Sequence, residues 1–335
     1  GMHFIFYRVI LILDKKDPNS VHISVLDIKD RSYQSASEVM RNVKNTLLTR
    51  VSPARKGSAL KYPYGTLTSN FTKPGYISAV KKALEYIHAG DIYQVCLSQR
   101  FRSEWHGHPY ELYRGLNAIN PAPFSAFLDY GDHSIISSSP ELFLRVSEDS
   151  IETRPMKGTR PRGKTPEEDI LLKEELLSSA KDAAELLMIV DLERNDLGRS
   201  SLPGTVRVSE NRRLEPHPTV FQTISVIRGS LDKRYGLMDV LRNAFPGGSI
   251  TGCPKIRAME IIEELEPTKR GIYTGSIGYI SLHGSMDLNI AIRTMIKKGP
   301  EVYFQVGSGI VSDSDPETEY EETLHKARAL IQAVS

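Results

Sequence analysis

Two pairs of acidic residues in this 335-residue sequence have a spacing that suits a metal site. Asp182 and Glu185 lie in one predicted helix. Glu319 and Glu322 lie in another, and residues three apart share a helical face. Mg²⁺ takes a few carboxylates and fills its other positions with water or an anionic substrate, so two such faces could enclose it. The alternative is a solvated helix face, which is the commoner origin of this spacing. The unbroken apolar run 186–190 favours a buried first helix, where a carboxylate needs a partner.

Two glycine-rich strings could bind an anion through backbone amides. The string FPGGSITGCPK, residues 245–255, precedes a predicted helix with Pro254 near its first turn. Amides at a helix N-terminus bind carboxylate or phosphate groups. The string contains no GK[ST] and is not a Walker A loop. Gly307 and Gly309 flank Ser308 after an apolar strand. Each string is also compatible with a tight turn that binds nothing.

A lysine lies within the basic string RPMKGTRPRG, residues 154–163. Lysines in such loops are usually solvated along most of their length, and this is the simplest interpretation of Lys157. The alternative is an amine nucleophile, which has to be buried or surrounded by other cations to be activated. Arg154, Arg160 and Arg162 could supply that positive charge. Spacing alone leaves both interpretations open.

The elements that must position these residues can be predicted from periodicity and capping signals. A hairpin is predicted for 4–13 and 21–26 across a turn at 17–20, and Gly90 separates a helix over 77–87 from a strand over 92–97. Further helices are expected from Thr165 to about 178, over 180–195, and from Asp315 to the C-terminus. Short strands are expected at 134–138, 274–281 and 302–306. The mixture predicts an α+β chain whose sheets are covered by helices.

Composition excludes several classes of protein. The 43 basic and 41 acidic residues nearly cancel, so no net field favours a nucleic acid or a membrane surface as partner. No run approaches the length of a membrane-spanning helix. Cys96 and Cys253 form no CxxC pattern, which indicates a reducing compartment, and we expect the cytoplasm. No linker-like segment divides the chain, so one domain over 1–335 is predicted, with a strand-rich extension over 1–75.

Taken together, the strings resemble the chorismate-utilising family that comprises anthranilate, aminodeoxychorismate, isochorismate and salicylate synthases. The resemblance covers residue 76 to the C-terminus and includes GDIYQVCLSQRF (90–101), SSSPELF (137–143), RPMKGTRPRG, SAKDAAELLMIVDLERNDLGR (179–199), FPGGSITGCPK, IAIRTM (290–295) and VGSGIVSDSDPETEYEET (306–323). It implies a four-layer α/β/β/α sandwich with two large packed β-sheets and a chorismate site between the sheets.

The family assigns a role to each matching position. Glu185 and Glu322 resemble the Mg²⁺ ligands, with Asp182 and Glu319 beside them. Glu141 resembles the general acid that helps the C4 hydroxyl of chorismate to leave. The positions that resemble substrate-binding residues are Gln94, Thr159, Thr251, Gly252, Tyr273, Arg293, Gly307, Ser308 and Lys326.

Two positions distinguish the reactions within the family. Gln94 stands where the water-adding members carry a lysine that activates water, and an amide has no basic nitrogen for that task, so ammonia addition is expected. Lys157 stands where anthranilate synthases carry alanine, and a lysine there is the pattern of aminodeoxychorismate synthases, in which it is a covalent nucleophile. The resemblance therefore implies conversion of chorismate to 4-amino-4-deoxychorismate, for 4-aminobenzoate and folate synthesis.

The resemblance also implies a partner and leaves rivals. Neither cysteine lies in a nucleophile-elbow setting, so a separate glutamine amidotransferase is expected to supply ammonia. The alternatives are an anthranilate synthase component I, and a catalytically silent subunit that only binds a glutaminase. The sequence departs from the family in two respects. Gln222 stands where many relatives have a histidine, and the short stretch before residue 76 makes a tryptophan site doubtful.

Overall fold

The computed structural model describes residues 2–29, 33–49, 66–217 and 220–335, grouped into two compact units, Gly1–Lys61 and Tyr62–Ser335. In the first unit, β1 (Val9–Asp14) and β2 (Asp17–Val25) form an antiparallel hairpin, followed by α1 (Ala36–Thr49). The predicted hairpin is confirmed, but its turn lies at residues 15–16 rather than 17–20. The Asp14 side chain accepts a hydrogen bond from the Lys16 amide at 2.8 Å, which closes the turn earlier.

The second unit contains the remaining elements. Its helices are α2 (Lys73–His88), α3 (Pro109–Ile119), α4 (Pro166–Ser178), α5 (Ala180–Gly198), α6 (Leu237–Ala244), α7 (Lys255–Leu265) and α8 (Pro316–Val334). Its strands are β3 (Thr68–Ser69), β4 (Gln94–Glu104), β5 (Phe124–Asp129), β6 (His133–Ser139), β7 (Leu142–Ser147), β8 (Ser150–Arg154), β9 (Met156–Pro161), β10 (Arg207–Pro216), β11 (Val220–Ser230), β12 (Gly252–Cys253), β13 (Gly278–Ile280), β14 (Met286–Asn289), β15 (Thr294–Lys298) and β16 (Glu301–Ile310).

These strands form two seven-stranded sheets. The first sheet has the order β12-β4-β16-β15-β6-β5, with β3 also paired to β4. The second sheet has the order β10-β11-β8-β7-β14-β13, with β9 also paired to β11. The pairings within both sheets are antiparallel, and the longest ladder joins β4 to β16 from Val95↔Ile310 to Glu104↔Glu301. Antiparallel sheets with helices on their faces confirm the predicted α+β class.

Helices cover one face of each sheet. On the second sheet, Leu186 and Val190 of α5 belong to the same apolar cluster as Val146 and Ile227. On the first sheet, α3 and α8 pack over β6, β15 and β16, while α2 and α7 pack over β4. The opposite face of each sheet is left for the other sheet, which gives the four-layer arrangement that the resemblance implied. No helix in the described ranges has both the length and the apolar character that crossing a membrane requires.

The predicted helix starts are confirmed by their capping bonds. The Thr165 hydroxyl accepts from the Glu168 amide at 3.2 Å, and the Asp315 carboxylate accepts from the Thr318 amide at 2.9 Å. Helix α5 continues to Gly198, beyond the expected end at 195. The strand predicted over 274–281 is shorter, because Thr274 has a φ of +63° and leaves only Gly278–Ile280 extended.

Two of the segments by which the chain passes from one sheet to the other are neighbours. Strand β6 of the first sheet leads into β7 of the second through Glu141. Strand β14 of the second sheet returns to β15 of the first through Arg293. The two segments lie side by side, because the Ile290 amide donates to the Glu141 carbonyl at 3.1 Å and the Ser138 amide to the Arg293 carbonyl at 3.0 Å. Both predicted site residues therefore lie where the sheets meet.

Candidate active site

Glu141 is a buried carboxyl with a raised pKa. Only 5% of its surface is exposed, and its Oε1 accepts a hydrogen bond of 2.6 Å from the Ser249 hydroxyl. Burial raises the pKa of Glu141 to about 7, although the Ser249 hydrogen bond and the charges of Lys157, Arg293 and Lys326 oppose this rise. A carboxyl with such a pKa carries a transferable proton near neutral pH, as a general acid must.

Lys157 extends from β9 into the protein rather than into solvent. Its side chain is 16% exposed, and Nζ lies 3.3 Å from Oε2 of Glu185. A methyl group added to Gly309 on β16 would lie 2.9 Å from this Nζ. The amine of a second-sheet strand thus reaches a first-sheet strand at Gly309, where the absence of a side chain leaves room for it. The solvated interpretation of Lys157 is wrong.

Gln94 and Gln222 have buried polar atoms that no described residue satisfies. Both side-chain atoms of Gln94 are without a hydrogen-bond partner, and its Nε2 would lie 3.0 Å from a methyl group on Gly309. Oε1 of Gln222 also has no partner in the described residues, and its Nε2 donates weakly to the Thr159 hydroxyl at 3.5 Å. Buried polar groups usually have partners, so Gln94, beside Lys157, is suited to contact a bound molecule. We call the space beside Gln94, Lys157 and Gly309 the central pocket.

The acidic residues of α5 and α8 are held by lysines and by a serine. Glu185 pairs with Lys157, and Glu322 pairs with Lys326 at 2.6 Å. Oε1 of Glu319 accepts from the Ser314 hydroxyl at 2.7 Å, whereas its Oε2 is buried without a partner in the described residues. Burial, together with the charge of Glu322, raises the pKa of Glu319.

Lys181 connects the two acidic helices. Its Nζ lies 4.0 Å from Oε1 of Glu185, and its charge also acts on Glu319 and Glu322. The carboxylates of α5 and α8 therefore face a common region. Asp182, on the same helix as Glu185, is paired with Arg160 at 3.3 Å.

These carboxylates are better suited to a divalent cation that keeps part of its water shell than to a cation whose ligands all come from the protein. Among the described residues, no three or more His, Cys, Asp or Glu side chains are grouped closely enough to enclose a metal ion. Mg²⁺ needs fewer, since it keeps several waters and binds one or two carboxylates plus an anionic substrate. Glu185 and Glu322 could supply those two carboxylates, and the unpartnered oxygen of Glu319 could accept a hydrogen bond from a metal-bound water.

The predicted carboxylate-binding residues come from strand β16, the crossover before β15, the turn after α7 and helix α8. Lys326 donates to the Gly307 carbonyl at 3.0 Å, and a methyl group on Gly307 would lie 3.0 Å from the Tyr273 hydroxyl. Desolvation lowers the pKa of the Arg293 guanidinium. The Arg293 backbone has a φ of +49°. Ser308 is buried, with its hydroxyl 3.4 Å from that of Tyr76. Tyr273, Gly307 and Lys326 are therefore close together.

The segment 245–255 has a different construction from the predicted amide cradle. Gly248–Ile250 form one 3₁₀ turn, the Thr251 hydroxyl donates to the Gly247 carbonyl at 2.9 Å, and α7 begins only at Lys255. Gly252 has a φ of +148°, and a methyl group there would lie 2.1 Å from the Gln94 carbonyl. The glycine thus lets β12 pair closely with β4.

Sequence reasoning missed Ser249 and Lys181. Ser249 lies in a string that was selected for its glycines and hydroxyls, but nothing in that string indicated a hydrogen bond to Glu141. Lys181 precedes Glu185 by one helical turn, and this spacing could have indicated its proximity.

Comparison with known proteins agrees with this geometry. Residues 1–332 match the family described as chorismate binding enzyme. Anthranilate synthase component 1 of Aquifex aeolicus is 46% identical over 305 residues, covering 91% of this chain and 62% of that protein. Aminodeoxychorismate synthase component 1 of Bacillus subtilis is 40% identical over 333 residues, covering 99% of this chain and 70% of that protein. The crystal structure of anthranilate synthase component I from Streptococcus pneumoniae superposes with a TM-score of 0.85 at 37% identity, covering 97% and 72%.

Proposed function

This chain belongs to the family of chorismate-binding enzymes, and on that premise we propose that it adds ammonia to chorismate to form 4-amino-4-deoxychorismate. The chain spans about three fifths of the length of the first two curated relatives, 62% and 60%. Both relatives are named anthranilate synthase component 1, whereas the Bacillus subtilis relative is named aminodeoxychorismate synthase component 1.

The observation that carries the proposal is the position of the Lys157 amine. It lies in the central pocket, and its charge acts on the Glu141 carboxyl. In the proposed reaction, the neutral Lys157 amine bonds to C2 of chorismate as both ring double bonds shift by one position, and the C4 hydroxyl leaves as water with the proton of Glu141. Ammonia then bonds to C4, and both double bonds shift back and expel the lysine nitrogen from C2. The proton that the new amino group releases returns to Glu141. Gln94 offers an amide rather than a basic nitrogen, so it supports binding without activating water.

We propose that Glu185 and Glu322 hold Mg²⁺, with Glu319 and Asp182 near them. The ion would neutralise and orient a carboxylate of chorismate. Arg293, Tyr273, Lys326 and the backbone at 307–308 would bind carboxylate oxygens, which fixes the ring between Lys157 and Glu141. A separate glutamine amidotransferase would supply the ammonia.

Anthranilate synthase activity is the second candidate, because the Aquifex aeolicus relative is 46% identical. That reaction would place the amino group at C2, eliminate pyruvate and require no covalent lysine. The position of Lys157 favours the first candidate, since it supplies a side-chain amine that only the first reaction uses as a nucleophile.

Product analysis separates the candidates. The purified chain would be incubated with chorismate, Mg²⁺ and ammonium, and the mixture assayed for anthranilate fluorescence and, after addition of a lyase, for 4-aminobenzoate. We expect 4-aminobenzoate, and we expect its loss in Lys157→Ala but not in Lys164→Ala, an exposed lysine of the same segment. Mass spectrometry of quenched wild-type reactions should show an adduct on the peptide containing Lys157.

Each other outcome has a definite meaning. Anthranilate from the wild-type chain would favour the second candidate. Unconsumed chorismate would indicate a catalytically silent subunit. Normal 4-aminobenzoate formation by Lys157→Ala without an adduct would refute the covalent mechanism.

A further inference from the structure

A second buried carboxyl lies behind Glu141 and has no role in the reaction described above. Glu193, on the fourth turn of α5, is 5% exposed and accepts a hydrogen bond of 2.9 Å from the Thr153 hydroxyl. The charge of Lys255 acts on Glu193, but its ammonium donates to Asp196 at 2.7 Å and to the carbonyls of Ala244 and Pro246 at 3.1 and 2.7 Å. Because an ammonium has three protons, Lys255 has none left for Glu193.

One 3₁₀ turn separates the two carboxyls. A methyl group on Gly248 would lie 3.3 Å from Cγ of Glu193, so the turn packs directly on that side chain. The next residue, Ser249, donates to Glu141 at 2.6 Å. Glu141 also acts electrostatically on Glu193, as the largest influence after burial.

We propose that Glu193 is a positioning residue, the second member of a buried carboxyl pair that shares a proton with Glu141. This inference rests on the proposed role of Glu141 as general acid. Two negative charges in one poorly solvated region repel each other strongly, so the pair retains at least one proton over a wider pH range than either carboxyl alone. While the pair holds a single proton, the two carboxyls share it, so Glu141 stays protonated in part of the molecules at a higher pH than it would alone.

The surrounding charges explain why Glu141 needs such support. Lys157, Arg293 and Lys326 face Glu141 and favour its ionised form. Burial, and after it the charge of Glu141, raises the pKa of Glu193 to about 8. The charge of Asp196 raises this pKa further, whereas the Thr153 hydrogen bond and the charge of Lys255 lower it. The pKa of Glu141 is about 7, so the two carboxyls ionise close together and share one proton near neutral pH.

The test is the pH profile of chorismate consumption by paired variants, whichever product forms. Glu193→Gln keeps the shape of the side chain and removes its charge, and we expect the alkaline limb of kcat to move to lower pH by about half a unit. Ser249→Ala removes a hydrogen bond that favours ionised Glu141, so its alkaline limb should move to higher pH. Loss of packing would lower kcat in both variants without moving the limbs in opposite directions. Thermal melting verifies that each variant is folded.

A second measurement needs no turnover. Infrared difference spectra of the substrate-free protein follow the carbonyl band of protonated carboxyls against pH, and Glu141→Gln identifies the contribution of Glu141. We expect the Glu141 band to disappear at lower pH in Glu193→Gln than in the wild type. An unchanged band would overturn the carboxyl pair. A shifted band with an unchanged kcat profile would support the pair and refute Glu141 as the general acid, so the two proposals fail separately.

Discussion

Gly309→Ala tests whether the Lys157 amine must reach the first sheet. The added methyl group would lie 2.9 Å from Lys157 Nζ and 3.0 Å from Gln94 Nε2, whereas ordinary contacts begin at 3.4 Å. Nζ therefore has to retreat by about half an ångström, or rotate away from the pocket. Gly309 has no positive φ, so alanine fits its backbone without strain.

The expected effects on stability and on turnover differ in size. Overpacking costs about 1 kcal/mol here, because the atoms that must move are the ends of side chains, and alanine returns a similar amount by restricting the unfolded chain. The free energy of unfolding should therefore change little. Displacement of a reacting group by 1 Å costs on the order of a hundredfold in rate, so half that displacement predicts a loss of roughly tenfold in kcat.

A double-mutant cycle identifies the cause. In a Lys157→Ala background, Gly309→Ala should produce no further loss of the residual chorismate consumption, because the displaced amine is already absent. Urea unfolding provides the stability measurement. Gly252→Ala is the contrasting variant, since its methyl group would lie 2.1 Å from a backbone carbonyl and its φ is +148°, and it should destabilise the fold. Wild-type kcat in Gly309→Ala, or full additivity with Lys157→Ala, would refute the reasoning.

Three further predictions concern the metal, a carboxyl and a buried ion pair. Excess EDTA should abolish turnover. Glu185→Gln or Glu322→Gln should weaken the binding of Mn²⁺, measured by electron paramagnetic resonance, at least tenfold. Glu141→Gln should raise the free energy of unfolding by up to about 3 kcal/mol at pH 8 but change it little at pH 4.5. Folding raises the pKa of Glu141 from 4.5 to about 7, so the free-energy cost of ionising the buried carboxyl grows as the pH rises between those two values. Urea curves that shift equally at both pH values would contradict this. Arg270→Met should cost about 3 to 5 kcal/mol in the same assay, since it leaves Glu266 buried and unpaired, and an unchanged midpoint would exclude that role.

The sequence predicted those elements whose signals are local. Helices α4 and α8 begin with a capping side chain followed by proline, and both starts were predicted to the residue. The hairpin was predicted but its turn was not, because Asp14 rather than the Asp-Pro-Asn-Ser string closes it. The strand predicted over 274–281 is shorter in the structure, because Thr274 has a positive φ, which its residue type does not predict.

The residue types of the site could be predicted from the sequence, but the contacts between those residues could not. The resemblance selected Glu141, and the fold places it on a crossover that periodicity does not reveal. The sequence does not distinguish Glu193 from a residue on an exposed helix face. Its burial depends on the tertiary fold, which places a 3₁₀ turn over it. Lys157 could not be separated from a solvated lysine, since its burial depends on a glycine 152 positions later in the chain.

The arrangement of the site follows from the way two sheets meet. Lys157 and Gly309 lie on facing strands of different sheets, and Glu141 and Arg293 lie on the adjacent crossovers. Groups on strands and on hydrogen-bonded crossovers are held more rigidly than groups on free loops. Reaction type can then change through single inward-facing side chains while the scaffold persists. Gln94 is such a side chain, because its buried amide contacts the same glycine as Lys157 and lacks any partner in the described residues. A basic group at Gln94 would place a second amine beside Lys157, so the two chemistries compete for one space.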